Sequence, residues 1–563
     1  MHLRTLSTWT AAVVAGTLLA GCTGTGGDSG DDEFDGLRPV AQDVSGRTRV
    51  PAIRLLTKTA AEDPRRYEQT RLIAERWKTA GIPAQLTPVR GTELTRRAFT
   101  SKDFDAFVVT YDPTPERLDP DDFLRRFTTA NATEAGSNNS GFANASYDKY
   151  YAAQRSATTE KERRTAVFAA QKLLYEQQPA RPFAHLAIAG AYRSDRWANI
   201  EKAAGNPVFN IWNSIGAKPT TGRRNLVVGT IAEPPTLNPV ALDTTEALLP
   251  LSHVYDSLVR IGPDGNLRNW AADDITENGE TVTARLRPGM RFSDGSPVTA
   301  ADVAFTIDYL VEEKSPLFGP KLEEVESVKT SGRTITITLK APSAAFVSTV
   351  LSQMPILPKH VWRKVQDPTT YANASPVGSG PFSFASRNLG SELRFTANRS
   401  HFFAPRIDGL TMAVLGSFDA EVGALGRGDI DMIGDQQSVA QLKTIQNKPD
   451  IAIVKTDSFG WSGVHYNMRG APFDDLHFRR ALSYLVPVQD IIDIALDGQG
   501  RPAGSVIAPS LREWYDPSLE PYPYDPQAAM KELRKAGYAF DEDGVLYYPA
   551  KDADRRVRQS PSP

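Results

Sequence analysis

The chain has 563 residues, 40% of them hydrophobic and 23% charged, the balance of an ordinary globular protein. Its 64 basic and 67 acidic side chains leave a formal charge of −3, which argues against a nucleic-acid surface or an acidic substrate. The single cysteine excludes an intramolecular disulfide, and a chain of this length exceeds what one core supports, so at least two lobes are expected.

The N-terminus sets the compartment. An apolar, small-residue stretch from Trp9 to Ala20 suits a secretory signal and falls short of the roughly 20 residues that cross a bilayer. It ends in Leu19-Ala20-Gly21-Cys22, which resembles the bacterial lipobox, whose cysteine takes diacylglycerol and becomes the first residue. Residues 1–22 are therefore expected to be a lipoprotein signal with Cys22 lipidated. Residues 23–50, opening on Gly, Ser, Thr and Asp, are expected to be a flexible tether. That places the protein at the cell membrane, lipid-anchored on the extracytoplasmic face. No later apolar run is long enough to cross a membrane.

From Pro51 to Val89 the pattern is strand, helix, strand, and "DFDAFVVTYD" then "DPDDFLRRFTT" follow. "SIGAKPTTGRR", Ser214 to Arg224, is polar with Gly and Pro and reads as a linker, placed at 216–224. Beyond it "NLVVGTIAEPPTLNPV" runs from an apolar strand, Leu226 to Val228, into turns at Pro234-Pro235 and Asn238-Pro239. Glu280 to Leu286 alternates as a half-exposed strand. Thr299 with Asp302 opens a helix whose apolar side is Ala304, Ile307, Tyr309 and Leu310. "GRTITITLKAP" is a period-two strand that Pro342 ends. "DDLHFRRALSYLVPVQDIIDIAL" has amphipathic helical spacing interrupted at Pro487, and Asp525 to Tyr538 is a capped helix stopped by Gly537. Residues 549–563 form a basic, Pro-ended tail expected to be disordered.

No enzyme signature is present: no HExxH, GxSxG, P-loop or Cys-His pair. The seven histidines are scattered without metal-ligand spacing, so no metal and no cofactor is expected. Gly498-Gln499-Gly500 and Asp541-Glu542-Asp543-Gly544 read as turns.

"WAADDITENGETVTARLRPGMRFSDGSPVTAADVAFTIDYL", Trp270 to Leu310, resembles the signature of the family 5 extracellular solute-binding proteins, the peptide- and nickel-binding receptors of bacterial ABC importers. The resemblance continues through "LPKHVW", "PVGSGPF", "IDGL", "GDIDMI" and "YNMRGAPFDDLHFRRALSYLV", then through "YDPQAAMKELRKAGY" to "DEDGVLYY" at Tyr548. It implies a two-lobed α/β fold of the periplasmic-binding-protein type (class II, large family 5 type) that binds its ligand in an interlobe cleft. It implies a monomer that is not an enzyme, binds no nucleic acid, and hands a peptide or peptide-like solute to ABC permease and ATPase subunits. A sugar, an opine-like molecule or a metal chelate is the alternative solute, and a surface lipoprotein without a transport role the alternative function.

In that family a further strand and helix follow "DGVLYY", whereas here the matching segment stands in front, at residues 51–215. The order implied is a circular permutation. Residues 51–215, the family's C-terminal third, lie mostly in lobe II; residues 225–454, its N-terminal region, form lobe I; residues 455–548 begin lobe II. Two truncated pieces pairing between chains would give the same order. The relatives' aspartate for the ligand's ammonium group maps onto Asp112 beside Tyr111, with Glu116 as its competitor. The strand "GWSGVHYNM" brings Trp461, Tyr466 and Asn467 as candidate ligand contacts.

Overall fold

The computed structural model describes residues 40–550, apart from Ala135 and Ala204. Cys22 and the expected signal lie outside the described residues, as do most of the expected tether, most of the expected C-terminal tail and the side chain of Glu116. Local sequence rules set the element ends. Strand β1 (Ile53–Lys58) leads to helix α1 (Pro64–Thr79), where the Asp63 carboxylate accepts the Arg66 N–H at 3.0 Å and Pro64 occupies the first turn. Strands β2 (Ala84–Val89) and β3 (Ala106–Thr110) follow. Helices α2 (Ala145–Ser156) and α3 (Glu160–Gln177) come next, the latter opened by a capping box of Thr159 and Glu162. The long strand β4 (Ala180–Arg193) is buried along most of its length, as a central strand must be.

After β5 (Asn225–Thr230), a second sheet forms from β6 (Ala272–Asn278), β7 (Thr281–Leu286), β8 (Val325–Ser331) and β9 (Thr334–Leu339), in the order β6-β7-β9-β8. Helix α4 (Ala300–Glu312) has the expected Thr299–Asp302 capping box. Asp302 also accepts the Lys359 N–H at 3.0 Å, which fixes the start of "LPKHVW". Strands β10 (Phe382–Asn388), β11 (Glu392–Ala397) and β12 (Gly409–Val414) precede α5 (Phe418–Arg427) and β13 (Met432–Ile433). The last elements are β14 (Ile451–Asp457), β15 (Ser462–Tyr466), α6 (Leu476–Tyr484), β16 (Gly500–Pro502) and α7 (Pro526–Ala536).

The main sheet has twelve strands in the order β10-β11-β12-β5-β13-β4-β15-β3-β1-β2, with β14 and β16 also paired to β4. β5 is parallel to β12 and β13, with Asn225 opposite Gly409, and β1 is parallel to β2 and β3. Four apolar cores divide this mixed α/β molecule into two lobes. Lobe I contains two of them, drawn from Ala189 to Ile451. Lobe II contains the other two, drawn from Val50 to Ala184 and again from Phe459 to Tyr548. The chain crosses between the lobes along β4 and again between β14 and β15. In lobe II the two chain segments meet: Val50 N–H donates to Leu546 O at 2.9 Å, Tyr548 N–H to Thr48 O at 2.9 Å and Gln42 N–H to Phe540 O at 2.7 Å. In lobe I the ends of the expected linker flank one short stretch, Arg406 donating to Ile215 O and Asp408 to Arg224 O.

Candidate functional site

In open α/β sheets, ligands bind beyond the carboxyl ends of parallel strands. Here those ends converge from both lobes on one loop. From lobe II, β3 runs into Tyr111, Asp112 and Pro113 alongside the start of β15, where Tyr111 N–H donates to Trp461 O at 2.9 Å and the Thr110 and Ser462 hydroxyls lie 2.8 Å apart. From lobe I, β5 ends at Thr230 and β13 at Ile433. Between them, Gly205 sits so close to Pro113 O and the Phe459 ring that a Cβ there would stand 3.2 Å from each. The Asn206 side chain donates to Gly434 O at 2.6 Å. Gly460 has no room for a side chain, since a Cβ would meet Tyr111 O at 1.7 Å.

The lobe II wall is aromatic. Tyr111 lies with its ring centroid 4.8 Å from that of Trp461, and its hydroxyl is 3.2 Å from His465 Nε2. The Arg117 and Arg126 guanidinium groups sit 5.6 and 5.1 Å from the Tyr111 ring centroid, a cation–π arrangement. His465 stacks on Phe107 and Phe127, and burial holds its pKa down at about 3. It is neutral at physiological pH. Trp461 Nε1 and His465 Nδ1 are buried without a hydrogen-bond partner among the described residues. His185 on β4 reaches Gly460 O through Nδ1 at 3.1 Å.

Inside lobe I, beside the ends of β5 and β13, lies a pair of acidic side chains. Glu421 is fully buried on α5, where it accepts the Gln437 amide at 2.8 Å and the Gly434 N–H at 3.3 Å. Burial and the neighbouring Asp435 push its pKa up to about 8. Asp435 accepts the Ile231 N–H at 2.8 Å, and burial raises its pKa too. Both carboxyl groups are thus held toward their protonated forms.

The predicted contacts separate into two groups. Asp112 is exposed at the end of β3, with Tyr111 and Trp461 buried directly behind it. Tyr466 and Asn467 sit at the far end of β15, away from that group. Tyr466 is in a lobe II core with its hydroxyl 3.3 Å from Ser483, and Asn467 donates to Lys102 O and Phe104 O. Both are fully buried, so their polar groups serve internal packing and not the cleft. "PVGSGPF" is likewise a packing turn: Cβ atoms on Gly378 and Gly380 would collide with the backbone at Val254 and His253. Sequence reasoning missed the Glu421–Asp435 pair, because the carboxylates come from different elements and only folding makes them neighbours. Among the described residues no group of three or more His, Cys, Asp or Glu side chains could hold a metal ion, and no helix is long and apolar enough to cross a membrane.

Residues 266–559 match the profile of the bacterial extracellular solute-binding proteins, family 5 Middle. The chain belongs to this family. Among relatives of this family 5 protein, Protein XP55 of Streptomyces lividans is 31% identical over 394 residues, covering 65% of this chain and 70% of that protein. The oligopeptide-binding protein AppA of Bacillus subtilis is 28% identical over 343 residues, covering 58% of this chain and 62% of AppA. The solved structure of AppA in complex with a nonapeptide aligns with a TM-score of 0.46 at 24% identity, over 57% of this chain and 66% of that one. Its alignment with AppA thus spans less than two thirds of that relative's length.

Proposed function

We propose that this family 5 protein is the lipid-anchored, extracytoplasmic receptor of an ABC importer, and that it binds peptides or peptide-like solutes between its lobes. The observation that carries the reading is the convergence of parallel-strand ends from both lobes on Gly205–Asn206, with the exposed Asp112 carboxylate at the rim of an aromatic wall. A carboxylate there suits a ligand's α-ammonium group through a charge-assisted bond, and the buried aromatic side chains behind it hold its strand end in place. The names of relatives such as oligopeptide-binding AppA and the glutathione-binding protein of Salmonella typhi agree with a peptide-like ligand. A monomer hands such a ligand to permease and ATPase subunits at the membrane, to which a lipidated Cys22 tethers it.

Asp112→Asn should weaken binding of a peptide with a free amino terminus by about 1.5–3 kcal/mol, the worth of a hydrogen bond to a charged group. By isothermal titration, the N-acetylated peptide should bind variant and parent alike. Equal affinity for the free-amine peptide would remove Asp112 from recognition, and native mass spectrometry showing a co-purified sugar or metal chelate would replace the ligand class. For the anchor, Cys22→Ala should release the protein from the membrane fraction, and unchanged retention would refute lipidation.

We further propose that the chain order is a circular permutation of the family's. The lobe II pairing of residues 42–50 with 540–548, and the closeness of Ile215 and Arg224 around residues 406–408, support one receptor per chain.

A further inference from the structure

Beyond the strands that cross between them, the lobes meet along a polar seam. Lobe II contributes Asp119, Arg155 on α2 and Arg163 on α3, while lobe I contributes Glu324, Ser343, Ala344 and Ser348. The Arg155 guanidinium donates to Glu324 Oε2 at 2.5 Å and to Ser343 Oγ at 2.6 Å, and its backbone carbonyl accepts the Ala344 N–H at 2.8 Å. Nearby, Asp119 accepts two bonds from Arg163 at 2.5 and 3.0 Å, and a third across the seam from the Ser348 hydroxyl at 2.6 Å. Arg163 and Asp119 side chains are 8% and 6% exposed, so this pair is largely shielded from solvent and from salt. The Lys443–Asp497 pair also joins the lobes, but at 58% and 46% exposure it contributes little.

The seam differs in kind from the interior of either lobe. No apolar core runs across it; each of the four cores stays within one lobe. Every group in the seam can be taken up by water when the lobes part, whereas an apolar contact would cost free energy in proportion to its exposed area. Contacts of this type hold one arrangement without locking it. The seam also starts on the segment that carries Asp112, since Asp119 follows on the same connection out of β3.

We propose that Arg155, with Glu324 and Ser343, and Asp119, with Ser348, form a latch that sets how far the lobes are closed and so tunes ligand affinity without touching ligand. The proposal rests on the reading of the interlobe region as the ligand cleft. These are positioning residues: their removal weakens binding by depopulating the closed arrangement, in proportion to the competent fraction.

The test uses the full chain carrying Cys22→Ala, with spin labels at Lys149→Cys on α2 and Lys329→Cys on β8, and interlobe distances measured by double electron–electron resonance without ligand. Arg155→Met should move the distribution from the short, closed distance to a longer one, as should the milder Glu324→Gln. The double variant should shift no further than Arg155→Met alone, because the Glu324 bond is already gone in that variant. Ser348→Ala should add to either. If Arg155→Met and Ser348→Ala together leave the distribution unchanged while the melting curve shows a folded protein, the latch is refuted. Should Arg155→Met fail to fold, Glu324→Gln, on the part-exposed rim of lobe I, decides by the same measurement. Titration then separates this idea from the functional reading: the Arg155→Met variant should bind a free-amine peptide roughly tenfold more weakly, with Asp112→Asn weakening it independently. A parent protein that binds no peptide, yet opens in Arg155→Met, would end the peptide reading and keep the latch; equal peptide affinity with an altered distance would overturn its role in binding.

Discussion

At the scale of single residues, buried charge chemistry decides the pH response. Glu421 holds its proton more tightly when folded, with a pKa near 8 against an ordinary 4.5. A folded state that binds more protons than the unfolded one loses stability as pH rises. The contribution of Glu421 is therefore complete below its unfolded pKa and disappears as pH climbs through about 8, and raised Asp435 acts in the same direction. His185, His253 and His465 do the opposite. Burial lowers them to about 4, 3 and 3, so their contribution is lost as pH falls from their ordinary 6.5 toward those values. The melting temperature should peak near neutral pH, above the ordinary histidine value of about 6.5, and fall from there to about pH 9, and Glu421→Gln should flatten that alkaline decline by half or more. A variant whose melting temperature falls as steeply as the parent's would show that Glu421 does not carry the proton. Nothing in the sequence announced this group: "FDAEVGALGRGDIDMI" reads as an amphipathic helix and a strand. Glu421 acquires its pKa only when α5 lies on the sheet beside Asp435.

At the scale of elements, local chemistry was legible wherever a cap or a period marked it. Thr299 with Asp302 opens α4, Asp525 caps α7 by accepting the Ala528 N–H, and Gly537 ends that helix at a φ of 86°. The alternation of "TITITL" matches the alternating burial of β9. The apolar run after Asn225 forms β5, in parallel register with β12, although those strands are far apart in sequence. The helical spacing from Asp474 to Leu496 is interrupted at Pro487 as expected: α6 ends at Tyr484, and the chain is helical again without a break from Val488 to Ala495. Proline restricts the residue before it as well as removing its own N–H, so the helix stops upstream of the ring. β15 shows the limit of reading contacts from an element. Its residues all look suited to a cleft, yet Trp461 at its start backs Asp112 while Tyr466 and Asn467 at its end are sealed within lobe II.

At the scale of the molecule, chain order and lobe order are separate matters. Lobe I is one continuous stretch of chain and lobe II is built from two, the early segment pairing with the late one between residues 48–50 and 546–548. Under the proposed permutation, a gene reordered to start at Asn225, with Tyr548 joined to Pro51 by a short loop, should yield a soluble protein of unchanged ligand affinity. The expectation follows because a loop between neighbouring ends costs little, about 0.6 kcal/mol for each doubling of its length. An insoluble product, or a parent that sediments as a dimer with lobe II shared between chains, would favour two fused fragments instead. The latch belongs at this scale too. Its partners Arg155 and Glu324 are 169 residues apart, and no local pattern links them.

The sequence by itself determined the element types, the caps, the family and the number of lobes, because each follows from periodicity, composition or motifs written over neighbouring residues. Asp112 entered only through the family resemblance, which maps the relatives' ammonium-binding aspartate onto it. Tertiary structure alone decided which polar groups are sealed and which face the interlobe region. Trp461 and Tyr466 stand at opposite ends of β15, and different lobe II cores take them up. The acidic pair, the polar seam and the joining of the lobe II segments all need residues from distant parts of the chain. Burial and desolvation are properties of such assemblies, and no side chain carries them until the lobes have formed.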